Sequence, residues 1–179
     1  MRLRMFIIAP LLLLAFGLRL PPAAWAALEE SQLKAVFVLN FAKLTEWPAD
    51  SSADSGVFTI AILGKAPSAA FVANLKELTL HGKHVTVRLV DSLRQAKDSH
   101  LLYISASERQ RLPGILKELQ QIPILTVSDM PGFCEAGGMI GLVPVQNRLS
   151  FEVNLAAARK ARLALSSQLL KLAKVIYGQ

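Results

Sequence analysis

Val57 to Leu63 reads V-F-T-I-A-I-L, an apolar run interrupted only by Thr59 and followed at once by Gly64. Apolar side chains at consecutive positions of a strand point alternately to its two faces, so both faces must be covered. A single antiparallel layer with one wet face does not satisfy that pattern. A parallel sheet with helices on both sides does, and the remaining segments supply the parts.

Leu33, Phe37, Phe41, Leu44 and Trp47 recur at three- and four-residue spacing, which predicts a helix over residues 28–47, stopped by Pro48. Residues 49–56 are small and polar, as in a surface loop. After Gly64, Pro67 and Ser68 open a helix to about Leu78. The turn His81-Gly82-Lys83 leads into a strand from His84 to Val90, and Asp91-Ser92 starts a short helix to about Lys97. A third strand spans His100–Ser105, with Ser107 as N-cap of a helix through Gln120. Ile122–Val127 is a fourth strand, and residues 130–137 form a Gly-containing loop. Met139–Val145 and Leu149–Val153 make a hairpin around residues 146–148. Asn154 caps a segment from Leu155 to about Lys160. Leu165, Leu169, Leu172 and Ile176 predict that helix continues or restarts at Ser166 or Ser167 and runs to Ile176. The expected fold is α/β: a single domain with a mostly parallel, mixed sheet and helices on both faces, a Rossmann-like three-layer arrangement.

The first 26 residues read as an export signal that precedes this domain. Arg2 and Arg4 give a positive start, Met5–Phe16 is apolar, and Ala24-Trp25-Ala26 offers small residues for cleavage. Arg19 and Pro21-Pro22 end the run too early for a comfortable membrane span; an uncleaved anchor is the alternative. Residues 27–179 then form the domain. Removing the signal takes away three arginines and no acid, so the formal charge falls from +7 to +4. That balance suits solubility or weak attraction to a membrane surface rather than nucleic acid, since no basic run is interleaved with aromatics.

The chemistry of the usual enzymes is missing. There is no G-x-S-x-G, no Walker loop, no H-E-x-x-H and no C-x-x-C. His81 and His84 flank a turn without a third ligand, so no metal site is expected, and no motif calls for a cofactor. The ends of the expected strands carry Gly64, Lys65, Ser105, Ser107, Ser128 and Asp129. Open α/β sheets bind ligands outside those ends, so these residues define a candidate small-molecule cleft, against the plainer reading that they cap and turn the chain. Cys134 is the one cysteine. It reads as a buried small hydrophobe, with a reactive thiol or a disulfide-linked homodimer as the alternative. Phe133 reads as core or as an exposed anchor. Arg159, Lys160, Arg162, Lys171 and Lys174 read as a solvated face or as a dock for an acidic partner. Phe133, Arg159 and Arg162 are the candidate partner interface.

Three stretches carry a family resemblance. Phe37–Pro48, F-V-L-N-F-A-K-L-T-E-W-P, resembles the opening motif of the YfiR family, Y/F-x-x-N-F-x-K-F-x-x-W-P. Within Leu125–Ile140, S-D-M-P-G-F-C-E-A-G-G-M-I is similar to that family's S-D-x-x-G-F-x-x-x-G-G-M-I. The closing stretch, with F-E-V-N-L-A-A-A-R-K-A and L-S-S-Q-L-L-K-L-A, resembles the family's ending, except that Ala161-Arg162-Leu163 stands where the family has A-G-L. The resemblance implies a non-enzymatic periplasmic protein. It would bind the periplasmic domain of an inner-membrane diguanylate cyclase and hold it off, lowering cyclic di-GMP and biofilm output. Some relatives carry cysteine pairs, and this chain has no second cysteine to form one. A periplasmic small-molecule-binding or sensor protein serving another membrane signalling partner is the alternative reading of the same sequence.

Overall fold

A computed structural model describes residues 22–49, 57–80, 82–146 and 148–178, with side chains from Glu30 onward. Residues 1–21, the bulk of the expected export signal, and most of the expected 49–56 loop lie outside the described residues.

The elements in chain order are α1 (Pro22–Lys43), β1 (Thr45–Glu46), β2 (Phe58–Leu63), α2 (Ala69–Lys76), β3 (Thr79–Leu80), β4 (Lys83–Val90), α3 (Leu93–Ala96) and β5 (Leu101–Ile104). A 3-10 helix (Ala106–Arg111) then leads into α4 (Leu112–Leu119). The chain continues with β6 (Leu125–Ser128), β7 (Ile140–Val145), β8 (Arg148–Asn154), α5 (Leu155–Lys160), β9 (Ala164–Leu165), α6 (Ser167–Leu172) and β10 (Val175–Tyr177). Eight strands form one sheet in the order β10-β8-β7-β6-β5-β2-β4-β3. Strands β4, β2, β5, β6 and β7 are mutually parallel, and β3 and β8 add antiparallel neighbours at either side. The five parallel strands follow the doubly wound order 2-1-3-4-5, whose reversal point falls between β2 and β5.

The apolar run behaves as its pattern requires. Ile60, Ala61, Ile62 and Leu63 are all fully buried. Ile60 and Ile62 join Tyr103, Val127, Ile140, Phe151 and Val153 under α1, α2, α5 and α6. Ala61 and Leu63 join Leu102, Ile104 and the Leu112, Ile115, Leu116 and Leu119 stripe of α4 on the other face.

Several element boundaries differ from expectation. The first helix ends at Lys43, because Thr45 donates its hydroxyl to the carbonyl of Phe41 (2.7 Å) and β1 leaves to pair with β9. Its buried face is Ala35, Val38, Leu39, Phe41 and Ala42, while Leu33 stays exposed. Ser105, not Ser107, caps the segment after β5, its hydroxyl accepting from the Ser107 N–H. A continuous helix from there would place Pro113 in its interior, where the ring clashes with the preceding turn; α4 instead starts afresh with Pro113 in its first turn. The expected terminal helix is two short pieces. α6 has Ser166 as its cap, with the hydroxyl accepting from the Leu169 N–H, and Ile176 lies in β10, which pairs parallel with β8. The intended stripe therefore divides: Leu169 is buried and Leu172 is exposed.

The loop after β6 is held by the residues of the middle motif. The ring of Phe133 lies on Gly138, where an added Cβ would sit 2.2 Å from it. Asn154 donates to the Cys134 carbonyl (2.9 Å) and accepts from the Ala157 N–H (2.9 Å), joining that loop to the start of α5. Phe133 is 1% exposed, so its expected place on a partner surface is corrected: it fills the core beneath α4. At the end of α5 the Leu163 N–H reaches the Ala158 carbonyl (3.0 Å), and Arg162 takes φ +59. That is the left-handed C-cap geometry in which glycine meets no Cβ penalty and arginine does.

Phe133→Ala is expected to cost about 3–5 kcal/mol of stability, and Gly138→Ala to be destabilising as well because its methyl would displace the same ring. Denaturant unfolding of both variants checks this; a Phe133→Ala protein of unchanged stability would contradict the packing described.

Candidate functional site

The strand-end residues picked out from the sequence gather at the reversal point, but they are engaged with one another. Gly64 ends β2 at φ +83, and Ser107 and Glu108 lie directly over it. The Ser107 hydroxyl accepts from the Lys65 N–H at 3.1 Å. Across β5, Ser128 donates its hydroxyl to the Ile104 carbonyl (2.7 Å) and accepts from the Met130 N–H (3.1 Å). Asp129 pairs with Lys34 of α1 at 2.9 Å, and Glu30 pairs with the same ammonium at 2.7 Å. Burial opposes the charge on Lys34, but the hydrogen bonds to Asp129 and Glu30 outweigh it and raise the pKa above the ordinary lysine value. The hydroxyl of Tyr103, buried nearby, has no hydrogen-bond partner among the described residues. Burial, then the charge of Asp129, pushes its pKa up, so the phenol stays neutral. Here α1 clamps the end of the sheet, and capping and turning account for Ser105, Ser107, Ser128 and Asp129.

Cys134 is fully buried, with its sulfur 3.4 Å from the Glu152 carbonyl and 3.7 Å from that of Met139. Burial pushes its thiol up to about 12, so almost no thiolate exists near neutrality. The reactive reading of this residue is not favoured by that setting. His84 is exposed on β4, and His81 lies outside the described residues. No group of three or more His, Cys, Asp or Glu side chains among the described residues is placed to hold a metal.

Two features were not found from the sequence. A groove of about 420 Å³ runs between α1 and α6, with Phe37, Leu44, Phe151, Leu169 and Leu172 in its walls and Lys43 at its rim. Leu33, Val36 and Leu172 are exposed at 43%, 41% and 64% on these two helices. In the sequence its α6 residues, Leu169 and Leu172, belong to one apolar stripe, which the short α6 and β10 divide. The second feature is an aromatic cluster at the opposite end of the sheet from Gly64. Trp47 meets Phe58 edge-on at 5.5 Å, and Phe58 stacks on His100 at 4.6 Å. The Trp47 indole N–H donates to the His100 carbonyl at 3.2 Å, so the tryptophan of the opening motif anchors the chain to β5. The Nδ1 of His100 accepts from the Thr59 N–H at 3.0 Å. Burial foremost, with the charge of Lys83, lowers the His100 pKa. Arg159 and Arg162 are exposed at the end of α5, on the same side of the sheet as the α1–α6 groove.

A family described as YfiR/HmsC-like matches residues 31–174. Comparison with the curated proteins found no match. Among solved structures, the chain is similar to the ABC domain from Streptococcus pneumonia in complex with L-Trp, at 13% identity and TM-score 0.55 over 79% of this chain and 60% of that one. It is also similar to a conserved domain protein from Vibrio cholerae O1 biovar eltor str. N16961, at 13% identity and TM-score 0.52 over 82% and 60%. The chain thus spans about 60% of the length of either structure, and at this identity the likeness shows the α/β fold alone.

Two outcomes are expected. A histidine whose pKa is lower folded than unfolded contributes stability that is full above its ordinary value of 6.5 and lost as pH falls below it. The melting temperature should therefore drop between pH 7.5 and 5.5, and drop less in His100→Asn, whose amide oxygen still accepts from Thr59; equal slopes would refute the assignment. An aromatic disulfide reagent at pH 8 should label Cys134 only as fast as the protein opens, and rapidly in denaturant. Immediate labelling of the native protein would contradict its burial.

Proposed function

The chain belongs to the YfiR/HmsC-like family, and from that premise we propose that it is a periplasmic regulator that binds the periplasmic domain of an inner-membrane diguanylate cyclase and represses it. Residues 1–26 serve as its export signal and 27–179 as the working domain. Holding the cyclase off lowers cyclic di-GMP and the biofilm output that depends on it.

The observation that carries this reading beyond the family is the α1–α6 face. Leu172 stands in solvent at a groove lined by Phe37, Phe151 and Leu169, and Leu33 and Val36 are exposed on α1, each four residues before a groove residue, Phe37 and Asn40. A contiguous apolar patch with a polar rim is the usual anatomy of a protein interface. Lys43 borders the groove and Lys171 lies beside Leu172, and Arg159 and Arg162 are exposed at and just beyond α5. Such a surface fits an apolar segment of the cyclase flanked by Asp or Glu, with the apolar contact giving affinity and the charge giving orientation and on-rate. In this reading Arg159 and Arg162 keep the interface role expected of them, and Leu172 takes the central place that Phe133 loses to the core.

The test is a pull-down from solubilised inner membranes with mass spectrometry of the retained proteins. A diguanylate cyclase with a periplasmic domain is expected. Leu172→Asp should leave the melting temperature within a few degrees, because the side chain is already largely exposed, and should reduce capture by about tenfold or more, the size of a hot-spot loss. Arg159→Glu should weaken capture most at low salt. Absence of any cyclase would sink the proposed function, and undiminished capture by Leu172→Asp would remove this groove as the interface.

A further inference from the structure

Residues 30–34 of α1 bury no apolar side chain: Leu33 is exposed, and the first buried residue of the helix is Ala35. Among the described residues, two polar side-chain contacts hold this segment to the rest of the fold. The Ser31 and Ser68 hydroxyls share a hydrogen bond of 2.8 Å, and Lys34 pairs with Asp129 at 2.9 Å. A stretch tied by polar contacts alone opens at lower cost than one anchored in a core. Beyond it Ala35, Val38, Leu39, Phe41 and Ala42 fix the helix, which sets a limit to any opening.

The Tyr103 hydroxyl is buried and has no hydrogen-bond partner among the described residues, a state that costs stability. Asp129 lies close enough for its charge to act on this phenol. The Tyr103 ring packs on Phe71 of α2 with centroids 5.0 Å apart, and its strand is paired on both sides, so the phenol keeps its place if the start of α1 moves. With Lys34 docked, Oδ2 of Asp129 is held toward α1. The carboxylate thus has two potential donors, one on a segment that can lift and one in the core that cannot. Glu30, 2.7 Å from Lys34, belongs to the lifting segment, so the ammonium keeps a counterion as it leaves. The carboxylate left behind can accept from the phenol, and a hydrogen bond to an ionised group is roughly twice as strong as one between neutral groups.

We propose that residues 30–34 form a latch with two positions, in which Lys34 and the Tyr103 hydroxyl exchange as donors to Asp129. Closed, Lys34 holds the start of α1 against the carboxyl end of the sheet. Open, the segment lifts and Tyr103 takes the carboxylate. The inference deepens the proposed function and rests on it for its consequence. Leu33 lies on the latch, and the groove residues Phe37 and Asn40 follow on the same helix, so opening remodels one side of the partner face. The exchange of donors itself needs no partner.

The test is amide hydrogen exchange of the purified protein and of Tyr103→Phe, which removes only the hydroxyl. That hydroxyl is bonded only in the open position, so its loss should slow exchange at residues 31–34 by about tenfold, equivalent to about 1.4 kcal/mol. Exchange at residues 38–42 should not change, and the melting temperature should equal or exceed that of the parent. Lys34→Met should speed exchange at residues 31–34 by about tenfold. In that background the phenol already holds Asp129, so adding Tyr103→Phe should lower the melting temperature. The proposal is overturned if Tyr103→Phe speeds exchange at residues 31–34 or leaves it unchanged, or if it lowers the melting temperature of the parent as much as that of Lys34→Met. If Lys34→Met does not fold, the exchange of Tyr103→Phe decides alone. No cyclase enters these measurements, so failure of the latch and failure of the proposed function are told apart.

Discussion

Burial of β2 and β5 on both faces is the constraint on which the rest of this structure depends. Ile60–Leu63 and Leu101–Ile104 are all fully buried. Their backbone groups must therefore be satisfied within the sheet, and their side chains must be covered from both sides. β2 is paired to β4 on one edge and β5 on the other, and the connecting helices fall on opposite faces to close both surfaces. With the strands parallel and in doubly wound order, the chain reverses between β2 and β5. The two ends of that one strand pair become the two places where polar chemistry concentrates.

The two ends are treated differently. At the carboxyl end the chain closes on itself: Ser107 sits over Gly64, Ser128 bridges Ile104 and Met130, and Lys34 reaches from α1 to Asp129. Most polar residues there spend their hydrogen bonds on the fold, and the buried Tyr103 hydroxyl is left without a partner among the described residues. At the amino end His100 ties neighbouring segments together, its N–H and Nδ1 pairing with Thr59 and its carbonyl accepting from the Leu125 N–H and the Trp47 indole. The apolar groove between α1 and α6 is a third kind of surface, made because Leu169 of the short α6 faces inward while Leu172, three residues on, stays out.

The family motifs acquire physical meaning in this setting. Trp47, in the stretch that resembles the family's opening motif, holds the chain to the start of β5 through its indole N–H. The G-F and G-G of the middle motif belong together because the Phe133 ring occupies the space that any side chain at position 138 would need. Asn154 both caps α5 and supports the carbonyl of Cys134, which ties the last motif to the middle one. Arg162 stands at φ +59, a local strain held by the buried Leu163, whose N–H reaches the Ala158 carbonyl. These motifs encode packing, which is why none of them pointed to a site.

By itself the sequence determined the class of fold: a strand apolar at successive positions must be covered on both faces, the helical segments between strands supply that cover, and local capping residues such as Ser68, Asn154 and Ser166 set where several helices begin. It also determined the family, through motifs whose spacing is preserved along the chain. Tertiary structure alone decided which polar residues were used up and which were left over. Pairing of β1 with β9 cut the first helix short, pairing of β10 with β8 turned a helical stripe into a strand, and packing against Gly138 drew Phe133 inward. Periodicity reports which side chains share a face of an element; it cannot report what that face meets. His100 shows the difference: in sequence it is one histidine before a strand, and only the neighbours supplied by β2, β6 and the residues after β1 fix what its ring and backbone hold.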